Sequence, residues 1–381
     1  MSVSRSDVRS PDVSLRPDSP RRVAVVGAGN MGQKWLKLAA ESPRTDVVAV
    51  VDVDPMRAGG AVAAHGLNDV RVEEDLTKCT FEIDLVVNAT IPAAHHEVSR
   101  LAMVHGRDVV SEKPAAADLA DGLRLAAVAD LTGRMLSISQ SRSLLRSVRQ
   151  LATSSLAGGT IGQVRCDFAR HARFGGFREQ MSHPLLLDMA IHAFDTARVV
   201  TGADARAVTC QENNPAWSWF DGDAEATAVF SMSNGSTFVY AGSWCTLGAE
   251  TSWNGTWRVE TGTGTLHWDG EEPPRRVIGD SHLELPSEPY GREGIAAAFD
   301  EMIDAQFGGP QPSGAILRNL GSLAMVEGAV ASSQNSRSLA FEEIYDRAVS
   351  EASRREQDSE VRARLDHVVQ QLLTSIEGTA G

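Results

Sequence analysis

Residues 23–52, VAVVGAGNMGQKWLKLAAESPRTDVVAVVD, constrain the fold more than any other stretch of the chain. Residues 23–26 are a short β-branched apolar run, the pattern of a strand buried on both faces. Gly27, Gly29 and Gly32 follow as G-x-G-x-x-G. In such a loop the first glycine makes a tight turn, the second lets a pyrophosphate reach the backbone, and the third lets a helix pack close to the strand. The helix N-terminus then offers free N–H groups and its positive dipole end to phosphate. A second apolar run, 47–51, ends in Asp52, twenty residues past Gly32, where a carboxylate can hold the hydroxyls of an adenosine ribose. Strand, glycine turn, helix, strand and acid together predict a dinucleotide-binding βαβ unit. Asn30 and Met31 belong to the same loop.

From residue 21 to about 143 the pattern continues as alternating strands and helices. Strands are expected over 70–72, 83–89, 108–110 and 135–139, with helices over 93–105 and 119–131. Six strands with intervening helices is the count of a doubly wound parallel sheet, in which ligands bind at the carboxyl ends of strands. The polar residues at those ends are therefore the candidates to surround the dinucleotide: Thr90, Pro92, His95, Glu112, Lys113 and Gln140.

Beyond 143 the pattern changes. Helices are expected over 144–156 and 184–200, and a strand over 161–169. Between 205 and 267 short alternating runs (ATAVFSM, TFVYAGSW, TWRVET, TLHW) predict an antiparallel sheet. Six of the seven tryptophans fall between Trp217 and Trp268. If they share one sheet face, that face is either core or a subunit interface, because monomers rarely expose a large apolar patch. Helices follow near 294–306 and 316–332. Past 344 the chain becomes charged, and Val361, Leu365, Val368, Leu372 and Ile376 form a helical stripe. Residues 1–20, rich in Ser, Arg, Pro and Asp, read as a disordered tail, with neither the apolar segment of a secretory signal nor the acid-poor composition of a transit peptide. The expected organisation is thus 1–20 tail, 21–143 dinucleotide domain, 144–344 substrate and oligomerisation domain, and 345–381 helical extension.

Composition narrows the function classes. The net charge of −14 argues against nucleic-acid binding, which needs basic patches, and against attraction to an anionic membrane. No apolar run reaches the roughly 18 residues of a membrane helix. The four cysteines, Cys79, Cys166, Cys210 and Cys245, are widely spaced and contain no C-x-x-C pair, so reduced thiols and a cytoplasmic setting are expected, with no metal site.

Two constellations carry chemistry beyond the cofactor loop. Lys113, in Glu112-Lys113-Pro114 at a strand end, can accept the hydroxyl proton of an alcohol if burial and a cationic ring nearby lower its pKa from about 10.4. Asp188 and His192 are spaced i, i+4 on the 184–200 helix and would share one face. His192 reads as a proton donor or acceptor, with Asp188 orienting it or binding a substrate hydroxyl; a satisfied core His–Asp pair is the alternative. Asp195 reads as supporting or structural.

Together the GAGNMG loop (27–32), Asp52, TIPAAH (90–95), EKP (112–114), DMAIHAFD (188–195) and PSG (312–314) resemble the glucose–fructose oxidoreductase/inositol dehydrogenase/rhizopine-catabolism (Gfo/Idh/MocA) oxidoreductases over about 21–338. The resemblance implies an N-terminal Rossmann domain, a C-terminal α/β domain on a large, open, mostly antiparallel sheet, and a homodimer or homotetramer formed through that sheet. It further implies NAD(P)-dependent oxidation or reduction of a sugar, inositol or related polyol, with Lys113, Asp188 and His192 as the catalytic set. Asp52 favours NAD by repelling a 2′-phosphate; Arg57 keeps NADP possible. Two departures bear on the substrate pocket: Ser182-His183-Pro184 replaces a glycine run ahead of the Asp188 helix, and Ile91 replaces a proline. His183 would touch substrate or cap the helix. Relatives of this fold also include NAD-dependent glycoside hydrolases and non-catalytic dinucleotide-binding regulators.

Overall fold

A computed structural model describes residues 19–287 and 289–378, with side chains to 374. Residues 1–18 of the expected tail and the Ile376 side chain lie outside the described residues. The chain packs into two compact units. The first comprises residues up to 140, 295–320 and 348–371; the second comprises 141–294, 321–347 and 372 onward.

The first unit opens with β1 (Arg21–Val26), α1 (Asn30–Glu41), β2 (Thr45–Val51), α2 (Pro55–Ala64), β3 (Arg71–Glu73), β4 (Leu85–Asn88), α3 (Pro92–Val104), β5 (Asp108–Glu112), α4 (Leu119–Thr132) and β6 (Leu136–Ser139). The strands form a six-stranded sheet in the order β3-β2-β1-β4-β5-β6, and every pairing is parallel. This is the doubly wound order expected of a dinucleotide fold, with the strand order reversing beside β1. Val23, Ala24, Val25, Leu85, Val86, Val87, Val109 and Val110 have no exposed surface, as strands covered on both faces require.

The second unit begins with α5 (Arg146–Ala157), β7 (Ile161–Ala169), a π-helical segment Leu185–Ala190 running directly into α6 (Ile191–Thr201), then β8 (Ala205–Asn213), β9 (Glu225–Met232), β10 (Thr237–Ser243), β11 (Thr256–Thr261), β12 (Gly264–Trp268), β13 (Arg275–Ile278) and β14 (Ser281–Glu284). The chain then passes through α7 (Ile295–Gln306), α8 (Ile316–Asn335), β15 (Leu339–Ala340), α9 (Phe341–Arg355) and α10 (Ser359–Gly378). The second sheet has nine strands in the order β14-β13-β12-β11-β7-β10-β9-β8-β15. Only β7 and β10 pair in parallel; the other pairings are antiparallel.

Alternation along these strands separates the faces. Val164, Cys166, Phe168, Phe230, Phe238, Tyr240, Trp257 and Trp268 are buried, on the side where α5 and α6 pack. Gln163, Arg165, Asp167, Thr227, Val229, Ser231 and Arg258 are exposed on the other. The tryptophans therefore do not form one exposed sheet face. Trp244, Trp257 and Trp268 are core, at 1%, 1% and 2% exposure, while Trp217 and Trp253 sit half-exposed in loops. Strands β13 and β14 escaped the sequence reading because RRVI and SHLE carry no apolar alternation; all of β14 is exposed.

The later segments of the first unit complete its core. Phe299 of α7 meets Trp35 of α1 edge-on at 6.3 Å. The Arg21 guanidinium donates to the Gln306 carbonyl at 2.8 Å and lies over the Phe307 ring. The PSG segment lies along the edge strand β6. Ile138 N–H donates to the Gly314 carbonyl at 2.7 Å, and a Cβ on Gly314 would stand 2.1 Å from the Ile138 oxygen. The expected C-terminal stripe is observed, with Val361, Leu365 and Val368 at 1% exposure or less. Ion pairs Arg124–Glu356 and Arg355–Asp118 anchor this region to α4.

Candidate active site

In the first unit the site is built at the strand ends. Gly27 has φ +94°, and a Cβ there would press into the Ala89 carbonyl at 2.5 Å. A Cβ on Gly32 would lie 1.7 Å from the Gly27 carbonyl oxygen, so only glycine lets α1 start this close to β1. Gly29 differs, because a Cβ there meets nothing within 4 Å. The space over Gly29 is the open side of the turn, where an approaching pyrophosphate would lie against backbone. Asn30 is exposed beside it and Met31 half-buried.

Asp52 ends β2 at 7% exposure. Its carboxylate accepts from the Ala28 N–H at 2.8 Å and the Asp54 N–H at 2.9 Å, and Arg57 stands 3.5 Å away. These bonds fix the acid against the glycine turn and leave lone pairs for ribose hydroxyls, since a carboxylate offers about four acceptor sites.

β4 carries a residue the sequence reading passed over. Asn88, fully buried in an otherwise apolar strand, donates to the His95 carbonyl and to Ser99 Oγ at 3.0 Å each, and accepts from Thr90 Oγ1 at 2.7 Å. An amide inside a Val-rich strand is the signal that could have found it. Asn88 thereby sets the turn Thr90-Ile91-Pro92 that opens α3. His95, 1% exposed, lies with Nδ1 2.6 Å from the Pro114 carbonyl and Nε2 3.1 Å from the Thr90 carbonyl. Burial lowers its pKa, with the two carbonyls opposing that shift. His95 thus ties the Thr90 turn to the loop that carries Lys113.

Lys113 is half-buried, and its peptide bond to Pro114 is cis. The Glu112 carboxylate accepts from Trp35 Nε1–H at 2.8 Å, and burial pushes its pKa up. At the end of β6, Gln140 is 6% exposed, and among the described residues neither its amide nitrogen nor its amide oxygen has a partner. A buried amide with both ends unmatched is costly unless a ligand meets it, and the carboxamide of a nicotinamide is complementary in donor and acceptor. The open turn at Gly29, the fixed acid at Asp52 and the unmatched amide at Gln140 therefore fit a dinucleotide.

In the second unit, Asp188 lies on the π-helical segment and His192 in the first turn of α6. The segment 184–200 is therefore not one regular α-helix, and the i, i+4 face argued for the pair does not carry over unchanged, because a π-turn has i→i+5 bonding. Asp188 accepts from Arg178 Nε at 2.7 Å, a partner ten residues earlier at the end of the short 3-10 turn Gly176–Arg178, which spacing alone does not reveal. His192 lines a small cavity with Arg142, Thr196, Tyr240, Asn254 and Trp268. Burial lowers the Arg142 pKa to about 10, and its guanidinium donates to the Trp253 carbonyl. The Tyr240 hydroxyl, without a partner among the described residues, runs over Gly242, where a Cβ would stand 2.4 Å from it.

Asp195 is structural. Its carboxylate accepts from Ser143 Oγ and, at 2.6 Å, from Ser322 Oγ, and lies 3.9 Å from Arg198, which in turn holds Asp204. The His183 carbonyl accepts the Leu187 N–H at 3.0 Å at the start of the helical segment, while its side chain turns to other partners. Its Nδ1 lies 3.0 Å from Glu212, and Asp223 completes a cluster with them.

Comparison with known proteins gives a consistent picture. Residues 21–140 match the family model described as "Oxidoreductase family, NAD-binding Rossmann fold", and residues 146–267 match the "GFO/IDH/MocA C-terminal domain". The chain is 26% identical over 344 residues to an uncharacterized protein of Sinorhizobium fredii, covering 82% of this chain and 93% of that one. It is 30% identical over 190 residues to an inositol 2-dehydrogenase of Ralstonia nicotianae, covering 48% of this chain and 55% of that one. Among solved structures, an Agrobacterium radiobacter oxidoreductase in complex with NAD+, L-tartaric acid and magnesium superposes with a TM-score of 0.77 at 18% identity, covering 86% of this chain and 100% of that one. No described helix is long and apolar enough to cross a membrane.

Proposed function

The chain belongs to the GFO/IDH/MocA oxidoreductase family and is an NAD(P)-dependent dehydrogenase, and from that membership we propose that it transfers a hydride between nicotinamide and a secondary alcohol or ketone of a sugar, inositol or sugar-derived metabolite. The observation that carries the reading is the dinucleotide cradle of the first unit, where the open turn at Gly29, the fixed acid at Asp52 and the unmatched amide at Gln140 fit the cofactor; for proton transfer the reading takes Lys113 of that unit and Asp188 and His192 of the second. Relatives named inositol 2-dehydrogenase and D-apiose dehydrogenase support a polyhydroxylated substrate.

The bound dinucleotide supplies the hydride acceptor or donor. The glycine turn and the α1 N-terminus would hold its pyrophosphate, and Asp52 would take the adenosine ribose hydroxyls, with NAD preferred because the buried carboxylate would repel a 2′-phosphate. Asn30, Met31, Thr90 and Pro92 border the same cradle. Gln140 would meet the nicotinamide carboxamide with its unmatched amide. Oxidation of an alcohol releases a hydroxyl proton. Lys113 Nζ and the His192 imidazole hold or pass that proton, and Asp188, itself fixed by Arg178, orients the substrate hydroxyl. His95 and Glu112 act through the loop, by fixing the backbone around Lys113. The outward face of the nine-stranded sheet forms the contact of a homodimer or homotetramer.

A panel of polyols and sugars with NAD or NADP, and of keto-sugars with NADH or NADPH, followed at the nicotinamide absorbance, tests the reading. Turnover of at least one polyol is the expected result. Cofactor binding by fluorescence without any redox turnover across the panel, or release of an aglycone from a glycoside with no net NADH, would overturn it.

A further inference from the structure

His183, Glu212 and Asp223 lie apart in sequence and in three different parts of the second unit, yet one ligand atom from each falls within 4.8 Å of the others. The backbone forces the meeting. The loop before the π-helical segment is zipped to the loop before β9: Asp221 N–H donates to the Glu179 carbonyl at 2.8 Å and Asp223 N–H to the Ser182 carbonyl at 2.9 Å. Between them Gly222 lies flat on the chain, where a Cβ would stand 2.2 Å from the Ser182 oxygen and 2.3 Å from the Met181 oxygen. Asp223 is thereby set beside His183. From the third side comes Glu212, on the inward face of β8 in line with Val208 and Cys210, with its side chain fully buried.

A glutamate at such a position is costly. A buried carboxylate needs a charge partner, and a second carboxylate beside it raises the cost. Among the described residues its ion-pair partner is the His183 imidazole, with no Lys or Arg paired to Glu212 or Asp223. Two carboxylates and one imidazole leave an excess of negative charge that a divalent cation would neutralise.

The donor set and spacing suit a particular class of ion. His183 Nδ1 lies 3.0 and 3.2 Å from the two Glu212 oxygens. Ligands bonded at about 2.0–2.2 Å to one metal stand about 3.0–3.5 Å from each other. One nitrogen with carboxylate oxygens suits zinc or manganese, whereas magnesium and calcium favour oxygen alone. The far ring nitrogen is also provided for. The Gln334 amide nitrogen lies 3.1 Å from Nε2, and the amide can turn end for end in the same place. With its oxygen turned to the ring it accepts the Nε2–H and leaves the Nδ1 lone pair for the metal, the support that metal-bound histidines generally have. His183 and Asp223 are half-buried, so water can reach the remaining positions.

We propose that His183, Glu212 and Asp223 form a binding site for one divalent transition-metal ion of the zinc or manganese type, which pins the loop ahead of α6 to the nine-stranded sheet. The site does not depend on the reaction proposed above. The test uses the full chain without a polyhistidine tag, stripped with a chelator and titrated with zinc, manganese, magnesium and calcium. The expected result is about one equivalent of zinc or manganese per chain, with a rise in Tm of about 3–5 °C at saturation. Cobalt substituted into the wild-type protein should show visible absorption bands of nitrogen and oxygen coordination, a readout that needs no variant. Glu212→Gln should weaken binding at least tenfold. Should that variant not fold, Asp223→Asn, at a half-buried position, should do the same. No bound zinc or manganese in the stripped and titrated wild type would overturn the proposal. So would undiminished binding in Asp223→Asn, or an equal Tm rise with magnesium or calcium.

Discussion

At Lys113 the proposed chemistry separates turnover from binding. Lys113→Ala should lower kcat by about 10²–10⁴-fold, the usual worth of a positioned acid–base group, while the NAD dissociation constant by fluorescence changes little. Equal turnover would remove the lysine from proton transfer. His95 offers a stability test of the same loop. Burial holds its folded pKa below the unfolded value of about 6.5, so the unfolded chain binds more protons in acid. The stability it contributes is therefore complete above about pH 6.5 and is lost as pH falls through the folded pKa. In urea titrations between pH 8 and pH 5, wild type should lose more stability than His95→Gln, with a difference in slope of up to about 1.4 kcal/mol per pH unit. Parallel pH profiles would show that His95 is not held neutral. At this scale the sequence named His95 and Lys113 but not what joins them. The Pro114 carbonyl that meets the imidazole is a backbone atom, and no side-chain motif reports it.

Among the elements, the glycine turn was the most legible, because each glycine answers a steric demand that only its residue type can meet. Gly32→Ala would place a methyl group 1.7 Å from the Gly27 carbonyl oxygen. The start of α1 must shift, and the variant should lose more than about 2 kcal/mol in chemical denaturation and bind NAD at least tenfold more weakly. Wild-type stability and affinity in that variant would mean the turn is slack. The π-helical stretch was illegible for a physical reason. PLLLDMAIHAF is apolar at nearly every position, so its pattern cannot separate a 3.6-residue period from a wider one. Asp188 remained visible as a residue, but its bond to Arg178 depends on the short turn Gly176–Arg178, whose three residues carry no readable period. Likewise His183 stood out in the sequence, whereas Glu212 looked like one more acid on a strand until its side chain was found on the inward face.

For the whole molecule, the parallel and antiparallel sheets could be read from pattern, but the use of the tryptophans could not. Alternation says which residues share a face, not whether helices cover it. With the aromatic face packed under α5 and α6, the outward face bears Arg165, Asp167, Thr227, Val229, Ser231 and Arg258, a mixed surface with Val229 of β9 at 40% exposure. If this face joins subunits, sedimentation should give a dimer or tetramer, and Val229→Glu should shift it toward monomer by placing unpaired charge in the contact. An unchanged sedimentation coefficient in that variant would move the interface elsewhere.

The first unit draws on three stretches of chain, and this sets a timetable for its synthesis. When residue 140 leaves the ribosome, the glycine turn and all six strands exist, but the Trp35 flank still lacks Phe299, and Arg21 still lacks the Gln306 carbonyl. Val361, Leu365 and Val368 arrive later again. At about 5–20 residues per second, the nascent domain spends roughly ten seconds or more with apolar surface uncovered. The second sheet is translated almost entirely within that interval, so a cofactor half that comes first in the sequence is completed only after most of the second unit has been made.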